Sequence, residues 1–117
     1  MTITTRKGSG RASLPAVNEG EARRQGIAAR VAQLPIVSVL RSRTISEQRG
    51  FMKGLVEADG ERILGFTMFG SEAGEVVAVV QTAMLAGLPY PALRDAIITH
   101  PTMAEGLCTL FAKVPAR

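Results

Sequence analysis

The chain has no tryptophan, one tyrosine and four phenylalanines among its 117 residues. So few rings exclude an aromatic stacking platform for single-stranded nucleic acid, and they require a core built from aliphatic side chains. The single cysteine, Cys108, excludes an internal disulfide and a cysteine-rich metal site. It lies in the apolar run Leu107–Phe111 and reads as a buried, inert thiol in a reduced, cytoplasmic protein. Long hydrophobic runs are also missing. The most apolar, Val76–Leu88, is interrupted by Gln81, Thr82 and Gly87 and is too short to span a bilayer. Met1–Ser13 is polar and lacks the apolar centre of a signal peptide. No membrane partner is expected.

Acidic residues are scarce at one end. Arg6, Lys7 and Arg11 stand in the first 15 residues without a carboxylate, so most of the net charge of +4 is a property of the leader. Residues 1–14 have no hydrophobic period and are expected to form a flexible basic leader, with one domain over residues 15–117. Binding of nucleic acid through this leader is an alternative, but no basic stripe marks a folded face and none is expected to be the main role. Gly8-Ser9-Gly10 begins like a dinucleotide fingerprint. No strong strand precedes it, position 13 is serine and no clear βαβ unit follows, so the motif is rejected.

A hydrophobic content of 46% is enough for a globular core. Asn18 and Glu21 have capping-box spacing ahead of a short helix, Glu19–Gln25, stopped by Gly26. Ile27–Gln33 alternates like a half-buried strand, which Pro35 either ends or leaves at a sheet edge. Ile36–Leu40 is short and apolar, and the segment around Arg41, Arg43 and Arg49 shows no clear period. Phe51–Glu57 and Arg62–Phe69 flank Ala58-Asp59-Gly60-Glu61, a hairpin signal, with Phe51 and Leu55 taken as inward-facing and Lys53 and Glu57 as outward-facing. Ile63–Phe69 is almost wholly apolar, so it should be covered on both faces, with Gly65 allowing another backbone to come close. Ser71 is the expected N-cap of a helix ending near Ala86, before Gly87 and Pro89. That helix has little polar face, which points to a partner subunit as cover for its outer side. A helix Pro91–Ile98 and a last one reaching Lys113 complete the pattern.

The only histidine, His100, precedes Pro101 and stands five residues before Glu105. An imidazole titrates near neutrality and can take and return a proton. A carboxylate on one ring nitrogen sets the tautomer and stabilises the imidazolium. Thr102 and Glu105 also have capping-box spacing, so a purely structural role for Glu105 stands beside the catalytic one. The pair is only half of an active site, because no nucleophile elbow, metal cluster or cofactor loop accompanies it.

Several motifs fall in the order of a known family. They are Glu21-Ala22-Arg23-Arg24-Gln25-Gly26, Gly50-Phe51-Met52-Lys53, Ile63-Leu64-Gly65, Gly70-Ser71-Glu72-Ala73-Gly74-Glu75 and His100-Pro101-Thr102-Met103-Ala104-Glu105. From Glu21 onward the chain resembles the C-terminal dimerisation domain of the FAD-dependent pyridine nucleotide-disulfide oxidoreductases, in their mercuric-reductase-like and lipoamide-dehydrogenase-like branch. The resemblance implies an α+β sandwich, an antiparallel sheet with helices packed on it, paired with a second copy as a homodimer. It also implies a catalytic His100 and Glu105 acting as an acid/base pair across the dimer interface, and a cis peptide at His100–Pro101. Full-length members use FAD and NAD(P)H, whereas no cofactor site and no metal site is expected within this chain. Mercuric reductase itself lacks the histidine, so mercury reduction is not implied. The family's opening strand corresponds here to Ala16-Val17-Asn18-Glu19, poor in strand character, so one sheet edge is expected to be missing or rebuilt.

The expected function is therefore a stand-alone dimerisation domain with no turnover of its own. The alternative is a subunit of a split flavin disulfide oxidoreductase that supplies His100 and Glu105 in trans to a flavoprotein partner.

Overall fold

The computed structural model describes residues 17–117 together with the backbone of Thr2 and Ile3. Four strands form an antiparallel sheet in the order β1-β4-β3-β2: β1 (Thr2–Ile3), β2 (Ala29–Pro35), β3 (Phe51–Glu57) and β4 (Ile63–Phe69). Five helices accompany it: α1 (Glu19–Arg24), α2 (Leu40–Thr44), α3 (Ala73–Leu85), α4 (Tyr90–Arg94) and α5 (Gly106–Ala112). The expected α+β sandwich is the observed architecture.

The sheet is two-faced because β4 has no polar side to leave in water. Its partner β3 pairs regularly from Phe51↔Phe69 to Leu55↔Gly65, and then Val56 pairs with Ile63, leaving Leu64 as an extra residue. Such a bulge reverses the strand's alternation. Ile63, Phe66 and Met68 consequently join one core, while Leu64 joins another. The main core lies between the sheet and helices α3, α4 and α5. Ala32, Leu34, Met52, Val56 and Phe66 meet Val76, Val80, Leu93, Leu107, Leu110 and Phe111 there. The smaller core lies on the opposite face, where Val17, Ala22, Leu55 and Leu64 pack with Ile27, Ala29 and Val31.

Residues 51–57 face the two cores differently from the sequence expectation. Met52 and Val56 enter the main core, whereas Phe51, Lys53, Leu55 and Glu57 share the opposite side. Leu55 is inward only because α1 covers that side. The α1 cap is as expected: Asn18 Oδ1 accepts the Glu21 N–H at 2.8 Å, and the Glu21 carboxylate accepts the Asn18 N–H. Gly65 provides the expected close approach, since a Cβ there would collide with the Val17 carbonyl. The Val17 N–H donates to the Leu64 carbonyl at 2.9 Å, and Thr2 and Ile3 pair with Thr67 and Phe66. This sheet edge is thus rebuilt from two separate pieces. Of the expected leader, Thr2 and Ile3 join the sheet, and residues 4–14 lie outside the described residues.

Several boundaries move. The second strand ends at Pro35, two residues later than expected, because Leu34 still fills a core position. Ser71 is not the N-cap of α3; Glu72 holds that place in a left-handed conformation, φ 61°, without a side-chain cap. Helix α3 buries Val76, Val77, Val80 and Ala83. Its outward side carries Gly74, Glu75, Ala78 and Thr82, small apart from Glu75, and Leu85 is 63% exposed. The expected Pro91–Ile98 helix stops at Arg94, after which the chain turns outward toward His100.

Arg30 fastens segments far apart in sequence. Its Nε donates to the Glu57 carbonyl at 3.0 Å, Nη1 to the Pro115 carbonyl at 2.8 Å and Nη2 to the Gly60 carbonyl. The guanidinium also lies 5.6 Å from the Tyr90 ring centroid. Replacing it by lysine removes the fork that reaches three carbonyls. Arg30→Lys is expected to cost about 1–3 kcal/mol in urea unfolding. A second prediction concerns the close approach at Gly65. Gly65→Ala forces Val17 away from β4 and is expected to cost about 1–3 kcal/mol in the same measurement.

Candidate active site

The site is carried by the loop between α4 and α5. Arg94 and Asp95 end α4 as an exposed pair, with Arg94 Nε donating to Asp95 Oδ1 at 2.8 Å. The chain then passes the fully exposed Ile97 and reaches His100, whose bond to Pro101 is cis. Met103 turns inward and is buried in the main core, which fixes the far end of the loop. Leu107, Leu110 and Phe111 do the same for α5. A solvent-facing loop is thereby hung between two buried anchors.

The structure brings His100 and Glu105 together. His100 Nδ1 lies 2.7 Å from Glu105 Oε2 and 2.8 Å from Oε1. With the Nδ1–H donating to the carboxylate, Nε2 keeps its lone pair. The imidazole is 63% exposed and Glu105 only 22%. Among the described residues nothing bonds Nε2, while the other ring nitrogen is held by Glu105.

The capping bonds of Glu105 coexist with its contact to His100. Its N–H donates to Thr102 Oγ1 at 3.2 Å, and its Oε2 accepts the Thr102 N–H at 3.4 Å. These are the reciprocal bonds of a capping box. The regular helix begins later than expected, at Gly106, because bonds from Gly106 to Met103 and from Leu107 to Ala104 form a tighter lead-in turn. A carboxylate is also favoured at the start of a helix by the peptide dipoles.

Cys108 stands one turn further on. Its thiol donates to the Ala96 carbonyl at 3.3 Å, tying α5 to the start of the His100 loop. Burial pushes the thiol above its ordinary range, and the nearby Glu105 and Asp95 carboxylates add to this. Cys108 is half-buried and not buried as expected; a thiol held protonated is a poor nucleophile.

An open groove on the other side of the sheet is lined by Asn18, Glu19, Gly20, Arg23, Phe51, Lys53 and Thr67. Sequence reasoning missed it, because Lys53 and Glu19 are 34 residues apart and no local spacing links them. Lys53 Nζ lies 2.8 Å from Glu19 Oε2, and Arg23 lies 3.4 Å from Glu19 Oε1. The Lys53 ammonium holds the Glu19 carboxyl below the usual carboxylate range, first through the hydrogen bond and then through its charge. A depressed folded-state value stabilises the fold above about pH 4.3, the unfolded carboxylate value. That contribution fades as pH falls through the lower folded value. Both groups are partly exposed, so the effect is small, under about 1 kcal/mol. Acid titration of stability should accordingly show a shallower loss on this limb for Lys53→Met than for the unaltered chain.

Residues 17–111 match the family model for the pyridine nucleotide-disulphide oxidoreductase dimerisation domain. The probable pyridine nucleotide-disulfide oxidoreductase RclA of Escherichia coli (strain K12) is 38% identical over 98 residues, covering 84% of this chain and 22% of that protein. Dihydrolipoyl dehydrogenase of Thermus scotoductus is 32% identical over 91 residues, covering 78% of this chain and 20% of that enzyme. The solved structure of the HOCl-induced flavoprotein disulfide reductase RclA from Escherichia coli superposes with a TM-score of 0.81 at 37% identity, over 86% of this chain and 23% of that one. The chain thus spans about a fifth of the length of these relatives. The matched sequence and the shared fold show that the chain belongs to the dimerisation-domain family of the pyridine nucleotide-disulfide oxidoreductases.

Proposed function

We propose that this chain is a dimerisation module that pairs with a second copy of itself and has no turnover alone. In this reading it offers the His100–Glu105 pair to the redox centre of a flavin-bearing disulfide oxidoreductase. The observation that carries the reading is the half-satisfied imidazole. Nδ1 is bound by a carboxylate and Nε2 is turned outward, toward a reacting group this chain does not itself provide. The outer side of α3, with its small residues and the exposed Leu85, supports a surface made for close packing of another subunit.

In the family the flavin supplies two-electron transfer between a nicotinamide and a disulfide. Of the basic residues lining the groove of this chain, Lys53 and Arg23 both pair with Glu19. What the chain contributes is a base. Nε2 takes the proton of a thiol, leaving a thiolate, and Glu105 stabilises the imidazolium from the opposite nitrogen until the proton is returned.

Two measurements test this. Light scattering behind size exclusion at micromolar concentration should give twice the chain mass; a stable monomer overturns the module. Mixing the chain with a flavoprotein disulfide oxidoreductase that lacks its own dimerisation domain should support NAD(P)H oxidation. His100→Ala should lower that rate by about 10²–10⁴-fold. Equal rates for the two chains would remove the proton-transfer role.

A further inference from the structure

The capping box at Thr102 has a consequence for the imidazole. Thr102 Oγ1 donates to the Thr99 carbonyl at 2.6 Å and accepts the Glu105 N–H at 3.2 Å. One hydroxyl therefore bridges the residue just before His100 and the residue that binds its ring. The Thr102 N–H meanwhile donates to Glu105 Oε2, the same oxygen that lies 2.7 Å from His100 Nδ1. Thr99, His100, Thr102 and Glu105 thus form a closed hydrogen-bonded ring, with backbone contacts on one side and the reactive nitrogen on the other.

We infer that Thr102 is a positioning residue for His100: its hydroxyl sets the loop so that the Glu105 carboxylate meets Nδ1 and the imidazole keeps its lone pair on Nε2. The chemistry of the side chain supports this. A hydroxyl gives one donor and accepts through its lone pairs, and both functions are used here. A glutamate on a half-exposed turn has several rotatable bonds and would otherwise sample water. Two fixed donors, the Thr102 N–H and the imidazole N–H, hold its carboxylate in place. Valine matches threonine in shape but breaks both hydroxyl bonds, whereas serine keeps them without the methyl group. The inference concerns ring geometry within this chain. It gains its catalytic meaning from the proposed role of His100, yet its test needs no turnover.

His100 is the only histidine, so its imidazole nitrogens are unambiguous in the NMR spectrum of the full chain. With the ring neutral, the unaltered chain should show a protonated Nδ1 and an unprotonated Nε2. Thr102→Val, in a chain whose amide spectrum remains folded, should shift both nitrogens toward the averaged values of an unconstrained imidazole. Thr102→Ser should restore the original pattern. An unchanged tautomer in Thr102→Val overturns the inference, because a helix cap alone would leave the ring nitrogens unaffected. Should the valine chain fail to fold, Thr102→Ser decides: retention of the Nδ1–H form supports the inference and its loss overturns it. If the tautomer moves while His100→Ala leaves NAD(P)H oxidation unchanged, the positioning stands and the catalytic reading falls.

Discussion

A strand without a polar side cannot lie on the surface of a sheet, and β4 imposes that condition on the whole fold. Ile63, Phe66 and Met68 need one apolar layer and Leu64 needs another. Helices α3 and α5 meet the first demand, and α1 with the Val17 segment meets the second. Gly65 lets the Val17 backbone settle against the strand, and the bulge at Leu64 divides an unbroken apolar run between two faces. Placing α5 over the sheet in this way also fixes where the His100 loop can emerge.

The position of the site is inherited from that packing. Met103, Leu107 and Leu110 are buried on the core side of the loop, and the thiol of Cys108 ties α5 to Ala96. The exposed imidazole is thus placed by a loop whose neighbours are buried in the core. Glu105 serves both as a helix-start ligand and as partner of the ring, without conflict, because a carboxylate has lone pairs enough for the Thr102 N–H and the Nδ1–H together.

Much of this was legible in the residue order. The Asn18 and Thr102 capping boxes, the hairpin around Asp59-Gly60 and the close approach at Gly65 rest on local rules, where the interacting groups lie within a few positions or one residue type announces a need. The facing of β3 was misread because periodicity locates an apolar side but does not say which helix will cover it. The helix start at Glu72 was missed since a serine just ahead of an apolar run, with Glu72 and Glu75 close behind it, looks like a cap whether or not the chain turns there. Arg30 gave no signal at all. Its carbonyl partners lie 27, 30 and 85 residues away and carry no side-chain identity of their own.

By itself the sequence determined the kinds of element, the apolar strand that must be covered twice, and the short spacing at which His100 and Glu105 can meet. Each of these is a property of composition and short spacing, where the chain's own stereochemistry leaves few choices. Only the tertiary structure decided that the imidazole faces outward with one nitrogen bound, that Lys53 is spent on Glu19, and that α3 turns its small residues to solvent. Those outcomes depend on which distant segments pack together, and burial is a property of the assembled layers and not of any segment alone.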